Sequence, residues 1–313
     1  MDKPHILMIG EFPDWDLDAM RQDYEISHIL RPDPEAPELA PVAALIRGIQ
    51  TRGEHGASAA LMRLMPRLEI VSVYGVGYDA VDRDYTRAHD IRVTNTPGVL
   101  TEDVADQGLA LLLATARQIP QADAYVRSGK WIETNMPLVT SVSGKRVGFA
   151  GMGQIGQALA RRLEALDCRI SYFARNRRPG LAYEFVDDLE RLAANVDFLV
   201  VILSGGAATS GIVSAKVIEA LGPEGILVNI SRGTTIDEEA LIAALESGKL
   251  RAAGLDVFLN EPRIDPRFAG LTNVVLQPHM GSATVETRKR MGQAVRDNLA
   301  AHFAGRPLPS PVA

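Results

Sequence analysis

The chain has 313 residues, more than one typical domain and fewer than three, so two domains are expected. Hydrophobic residues make up 46% and charged residues 23%, which supports a large core without disulfide or metal staples. The net charge of -6 argues against a general nucleic-acid surface, which needs a basic face, and no apolar run has the length of a bilayer span.

The first apolar stretch, Ile6 to Ile9, is too short for the core of a signal peptide. The single cysteine, Cys168, cannot close an internal bridge and suits a reducing compartment as a small buried hydrophobe. These features predict a cytoplasmic protein with neither nucleic acid nor membrane as partner and with no metal site.

Short β-branched runs alternate with helical patterns along most of the chain. Strands are expected at residues 5–9, 69–73, 91–94, 146–150, 169–173, 197–203, 225–230, 252–255 and 273–276. Helical patterns cover residues 101–129, 155–166, 214–221, 237–247 and 283–303. Such alternation predicts an α/β protein whose parallel sheets are covered on both faces. The turn-rich Asn95-Thr96-Pro97-Gly98 and the stretch around Pro278 to Ala283 read as domain crossings. They divide the chain into a cofactor domain of residues 98–283 inserted in a smaller domain of residues 1–97 and 284–313. Two crossings also permit hinging around a small ligand.

Residues 145–150 read as a strand, followed at once by Gly151-Met152-Gly153-Gln154-Ile155-Gly156 and then by a helix with Ala158, Leu159, Leu163 and Leu166 on one stripe. Between strand and helix, this glycine pattern is a dinucleotide-binding signature. The first glycine allows the tight turn, the second lets a pyrophosphate approach the backbone, and the third permits close helix–strand packing. An NAD site would place an acidic residue at the end of the next strand. Ala174 stands there instead, followed by Arg175-Asn176-Arg177-Arg178. With no carboxylate to repel a 2′-phosphate and guanidinium groups close by, NADP(H) is the expected cofactor, with NAD(H) as the alternative.

Arg232, Glu261 and His279 each fall just beyond the end of an expected strand, where ligands of open α/β sheets bind. Taken singly, each has an ordinary structural reading: a surface charge, a loop ion pair, a half-buried histidine. Together they suit reduction of a keto acid. Hydride arriving at C2 leaves negative charge on oxygen, which a guanidinium stabilises and an imidazolium neutralises.

From about Glu69 onward the chain resembles the D-isomer-specific 2-hydroxyacid dehydrogenases, especially the glyoxylate/hydroxypyruvate reductase branch. The resemblance is carried by Val73-Tyr74-Gly75-Val76-Gly77-Tyr78-Asp79, Asn95-Thr96-Pro97-Gly98-Val99-Leu100, the glycine loop, Ser231-Arg232-Gly233, the segment from Gly254 to Pro262, and Gln277-Pro278-His279-Met280-Gly281-Ser282. It implies two doubly wound parallel-sheet domains, a Rossmann-type cofactor domain inserted in a flavodoxin-like substrate domain. The implied activity is reduction of a small 2-keto acid to the D-2-hydroxy acid.

By that resemblance Arg232 binds the substrate carboxylate and keto oxygen, His279 is the general acid, and Glu261 holds the imidazole and favours its charged form. Amides at Val76 and Gly77 grip the carboxylate, and Thr51, Arg52 and Leu100 line the pocket. Asp256 orients the nicotinamide amide, while Val104, Thr209, Ile230, Gly281 and Ser282 contribute further cofactor contacts. The resemblance also implies a homodimer, with Trp131 reaching the partner's site or packing at the interface.

One departure is Ser204-Gly205-Gly206-Ala207-Ala208-Thr209, which stands where many members carry a proline-rich segment. Phosphite or formate dehydrogenases of the same architecture are alternative enzyme readings, although Glu261 argues against formate. A nucleotide-sensing corepressor is the non-enzyme alternative.

Overall fold

The computed structural model describes residues 3–312, and the chain folds as two compact units. One comprises the residues up to Leu100 and those from Thr284 onward; the other runs Thr101–Ala283.

The first unit holds β1 (His5–Ile9), α1 (Asp14–Asp23), β2 (Glu25–Ile29), β3 (Ile46–Arg52), α2 (Ala59–Arg63), β4 (Ile70–Tyr74), α3 (Arg83–Ala88) and β5 (Arg92–Thr94). Its sheet is ordered β2-β1-β3-β4-β5 and every pairing is parallel, the flavodoxin-like order. Leu7, Ile9, Ile49, Val71 and Val73 from the sheet are fully buried with Leu61 of α2.

β2 and β3 escape the apolar-run criterion because polar residues interrupt them. In β3 the interruptions are Arg47, Gln50, Thr51 and Arg52, with Gly48 among them. Gln50 is nevertheless fully buried and donates to Asp16 Oδ2 at 3.2 Å. A Cβ on Gly48 would come within 2.7 Å of Ile6 and 3.6 Å of Leu299, so glycine is what fits beneath the last helix.

The second unit holds α4 (Thr101–Ala116), α5 (Ile119–Arg127), β6 (Arg146–Ala150), α6 (Gln154–Glu164), β7 (Arg169–Phe173), β8 (Glu184–Phe185), α7 (Leu189–Ala193), β9 (Phe198–Val201), α8 (Ala215–Leu221), β10 (Ile226–Asn229), α9 (Glu238–Glu246), β11 (Ala252–Leu255) and β12 (Val274–Leu276). The last helix of the chain, α10 (Val285–Phe303), belongs to the first unit. The sheet of the second unit is ordered β12-β11-β10-β9-β6-β7-β8, parallel throughout. Its order reverses between β6 and β9, the switch point outside which ligands of such sheets bind. Both faces are covered, so β9 and β10 are buried at every position.

The helical pattern expected over residues 101–129 is two helices. Gln118 takes a left-handed conformation (φ 50°) and Pro120 opens α5, because proline has no amide to continue the α4 ladder. Small residues let α4 approach closely: a Cβ on Gly108 would lie 2.7 Å from Ile230, and one on Gly254 would lie 2.4 Å from Thr115.

Candidate active site

The glycine loop closes β6 as expected. Gly151 adopts φ +103°, and a Cβ there would strike the Ile202 carbonyl at 2.8 Å, while one on Gly156 would meet the Gly151 carbonyl at 3.1 Å. Gly151 also donates its amide to the Phe173 carbonyl at 2.8 Å, tying the loop to β7. Gly153, by contrast, has nothing within 4 Å of a Cβ position. It caps α6 without a side-chain hydrogen bond, so an open backbone face meets the positive end of an 11-residue helix. These are the features a pyrophosphate requires, and the residues present fit a dinucleotide.

At the end of β7, Ala174 is buried and Arg175, Asn176 and Arg177 are exposed. Among the described residues, Arg175 and Arg177 make no ion pair. Thr209 ties its own loop together, donating to the Ser204 carbonyl at 2.6 Å, where Gly206 at φ +121° makes the turn.

The ends of three adjacent strands carry the charged residues. Register places Asn229 beside Leu255 and Leu255 beside Leu276. The segments bearing Arg232, Asp256 and His279 therefore leave the sheet side by side, at about 4.8 Å per strand.

Buried polar groups build the Arg232 turn. Asn229 Oδ1 accepts from the Ser231 amide (3.0 Å) and hydroxyl (2.8 Å), and Asn229 Nδ2 donates to the Arg232 carbonyl at 3.0 Å. Thr235 Oγ1 donates to the same carbonyl at 2.6 Å, and Arg232 Nη1 donates to the Ser231 carbonyl at 2.8 Å.

His279 sits in the left-handed region at φ 55°, uncommon for a residue with a Cβ. Asp256 holds that turn. Its carbonyl accepts the His279 amide at 2.8 Å, its Oδ1 accepts from Met280 at 2.6 Å, and its Oδ2 accepts from Gly281 at 2.9 Å. Burial pushes the Asp256 carboxyl upward, and the two amides oppose that shift.

Glu261 joins the two segments. Its Oε2 is 2.7 Å from His279 Nδ1, and its Oε1 accepts the Phe258 amide at 2.8 Å. The carboxylate thereby orients the ring and selects the tautomer that carries a proton on Nδ1. A cavity of about 270 Å³ opens beside the pair, bounded also by Phe258, Ile264 and Leu276; these apolar walls strengthen the hydrogen bond.

Val104 is buried and lies 3.5 Å from a Cβ position on Gly281; Ile230 is buried and Ser282 half-buried. In the first unit, Val76 and Gly77 follow β4 directly, with the Val76 carbonyl accepting from Asn95 Nδ2 at 2.9 Å. Arg52 ends β3, Thr51 donates to the Gly56 carbonyl at 2.7 Å, and Leu100 is buried. Trp131 is 62% exposed.

Sequence reasoning singled out the segment around Arg232 but assigned no supporting role to Asn229 and Ser231, and it missed Thr235. Their one visible signal was polarity at the end of a buried strand.

The chain matches the model of the family described as D-isomer specific 2-hydroxyacid dehydrogenase, NAD binding domain, over residues 109–281. It is 49% identical to a hydroxyphenylpyruvate reductase of Plectranthus scutellarioides over 88% of each chain. It is 43% identical to a 2-ketogluconate reductase of Gluconobacter oxydans over 99% of each. Among solved structures it is similar to an NADPH-dependent glyoxylate/hydroxypyruvate reductase of Sinorhizobium meliloti in complex with NADP and malonate. That likeness has a TM-score of 0.94 and 43% identity, covering 100% of this chain and 97% of the other. Glycine loop, strand order, the Glu261–His279 pair and these likenesses agree, and the chain belongs to the D-isomer-specific 2-hydroxyacid dehydrogenases.

Proposed function

We propose that this protein reduces a small 2-keto acid of the glyoxylate or hydroxypyruvate class to the D-2-hydroxy acid, with NADPH as the preferred reductant. The hydrogen bond from His279 Nδ1 to Glu261 carries the reading. The second unit would hold the dinucleotide at Gly151, Gly153, Gln154, Ile155 and Gly156, with Arg175, Asn176 and Arg177 at its 2′-phosphate and Val104, Thr209, Ile230, Asp256, Gly281 and Ser282 as further contacts. The first unit would supply substrate contacts from Val76, Gly77, Arg52 and Leu100. When bound, the nicotinamide supplies hydride to C2 of the substrate.

The protein's own groups do the rest. Arg232 holds the carboxylate and keto oxygen and stabilises the charge that develops on that oxygen. His279, its Nδ1 proton engaged by Glu261, presents Nε2 as the acid that delivers a proton to the same oxygen. Glu261 offsets the charge of the imidazolium and fixes the ring plane. The names of relatives support the substrate class: hydroxyphenylpyruvate, 2-ketogluconate and glyoxylate/hydroxypyruvate reductases. A structural neighbour with NADP bound supports the cofactor.

We also propose a homodimer working in the cytoplasm. Ile119, Val126, Trp131, Ile132 and Leu138 are all exposed, Ile132 at 92% and Leu138 at 99%. These apolar side chains lie close in sequence, as at a partner-binding surface. No helix among the described residues is long and apolar enough to cross a membrane.

NADPH oxidation measured with glyoxylate, hydroxypyruvate, 2-ketogluconate, an aryl-pyruvate and phosphite (run as NADP⁺ reduction) tests the function. Turnover of keto acids that His279→Ala abolishes supports it; turnover of phosphite alone would replace it.

A further inference from the structure

In the first unit, Arg52 closes β3 as the register partner of Tyr74, which closes β4. Arg288, from the first turn of α10, places its Cζ 5.7 Å from the Tyr74 ring centroid. The Tyr74 hydroxyl donates to the Arg288 carbonyl at 2.7 Å. Tyrosine therefore fixes both the backbone and the side chain of this arginine.

The two guanidinium groups are not equally matched by carboxylates. Arg52 pairs with Glu54 and donates to the Glu11 carbonyl at 3.1 Å. Arg288 makes no ion pair and no side-chain hydrogen bond among the described residues. Burial and then the charge of Arg52 push the Arg288 guanidinium downward, opposed by Tyr74 and Glu54. His55 stands nearby and is itself pushed downward, first by burial. A half-buried cation without a carboxylate partner is costly to keep, and an entering anion removes that cost.

The residues that follow Tyr74 are Gly75, Val76 and Gly77, the loop proposed above to grip the substrate carboxylate. We infer that Arg288, with Arg52, forms an anion subsite beside that loop, and that it recognises a second acidic group on the 2-keto acid. A guanidinium fork matches a carboxylate bidentately. Arg288 then determines specificity, acting on the substrate's far end rather than on the reacting carbon. The inference rests on the 2-keto-acid reading and adds a substrate class to it: keto acids with a second carboxylate.

The test compares 2-oxoglutarate with 2-oxopentanoate, which has a methyl group in place of the distal carboxylate. The wild type should favour 2-oxoglutarate in kcat/KM. Arg288→Met should lose roughly tenfold or more on 2-oxoglutarate beyond any loss on 2-oxopentanoate, and Arg288→Lys should restore part of it. Indifference of the wild type between the two acids, or equal losses on both, overturns the subsite. Titration calorimetry with malonate gives a readout that needs no turnover. If no keto acid is reduced, glyoxylate and hydroxypyruvate included, the functional reading fails. Weaker malonate binding by Arg288→Met would still support the subsite, and unchanged binding would remove it.

Discussion

Gly233 packs against Phe258 so closely that a Cβ on the glycine would lie 1.9 Å from the Phe258 carbonyl carbon. Gly233 follows Arg232, and the Phe258 amide is bound by Glu261. This contact between backbones therefore sets the turn of one charged residue against the turn of another. Nothing flexible lies between them. Gly233→Ala must displace main chain, a strain of at least about 1–3 kcal/mol. Thermal unfolding should show a lower Tm and steady-state kinetics a lower kcat; wild-type values for both would show that the two turns are not coupled.

Glu261, 2.7 Å from His279 Nδ1, holds the ring that is proposed to deliver the proton. Glu261→Gln can turn its amide nitrogen toward Nδ1 and no longer fixes the tautomer, so kcat should fall by roughly 10- to 100-fold. KM for the cofactor should change little. Steady-state kinetics are the measurement, and an unchanged kcat would remove Glu261 from the catalytic step.

Arg175 and Arg177 are proposed to hold the 2′-phosphate, and among the described residues no ion pair holds them elsewhere. Replacing both with alanine should raise KM for NADPH by roughly tenfold or more per arginine, given about 1.5–3 kcal/mol for each charge-assisted bond. KM for NADH should change little. Parallel losses with both cofactors would assign these arginines to something other than the phosphate.

Trp131, at 62% exposure, and Ile132, at 92%, offer apolar area that a second copy would cover. The double substitution Trp131→Glu with Ile132→Glu should convert a dimer to a monomer, since two charges on each side would be buried without partners. Light scattering coupled to size exclusion reads this directly. A mass unchanged from wild type would place the interface elsewhere.

Much of the molecule can be read from residues near one another in the chain. The bounds of β6 and β7, the glycine loop between β6 and α6, and the basic segment after β7 all follow from local periodicity and composition, because a strand or a phosphate-binding turn is built from consecutive residues. β3 could not be read this way. Its Gln50 is compatible with burial because Asp16, distant in the chain, accepts from it.

The site divides along the same line. That an arginine, a carboxylate and a histidine fall at strand ends is a property of the sequence. The resemblance already implied that Glu261 holds the His279 ring; tertiary structure alone decided that Asp256 fastens the His279 turn, that Gly233 meets Phe258 and that Arg288 lies over Tyr74. Parallel strands are joined through helices, so residues that touch at neighbouring strand ends lie far apart in sequence. Their partnership depends on sheet order and register, which no local pattern encodes.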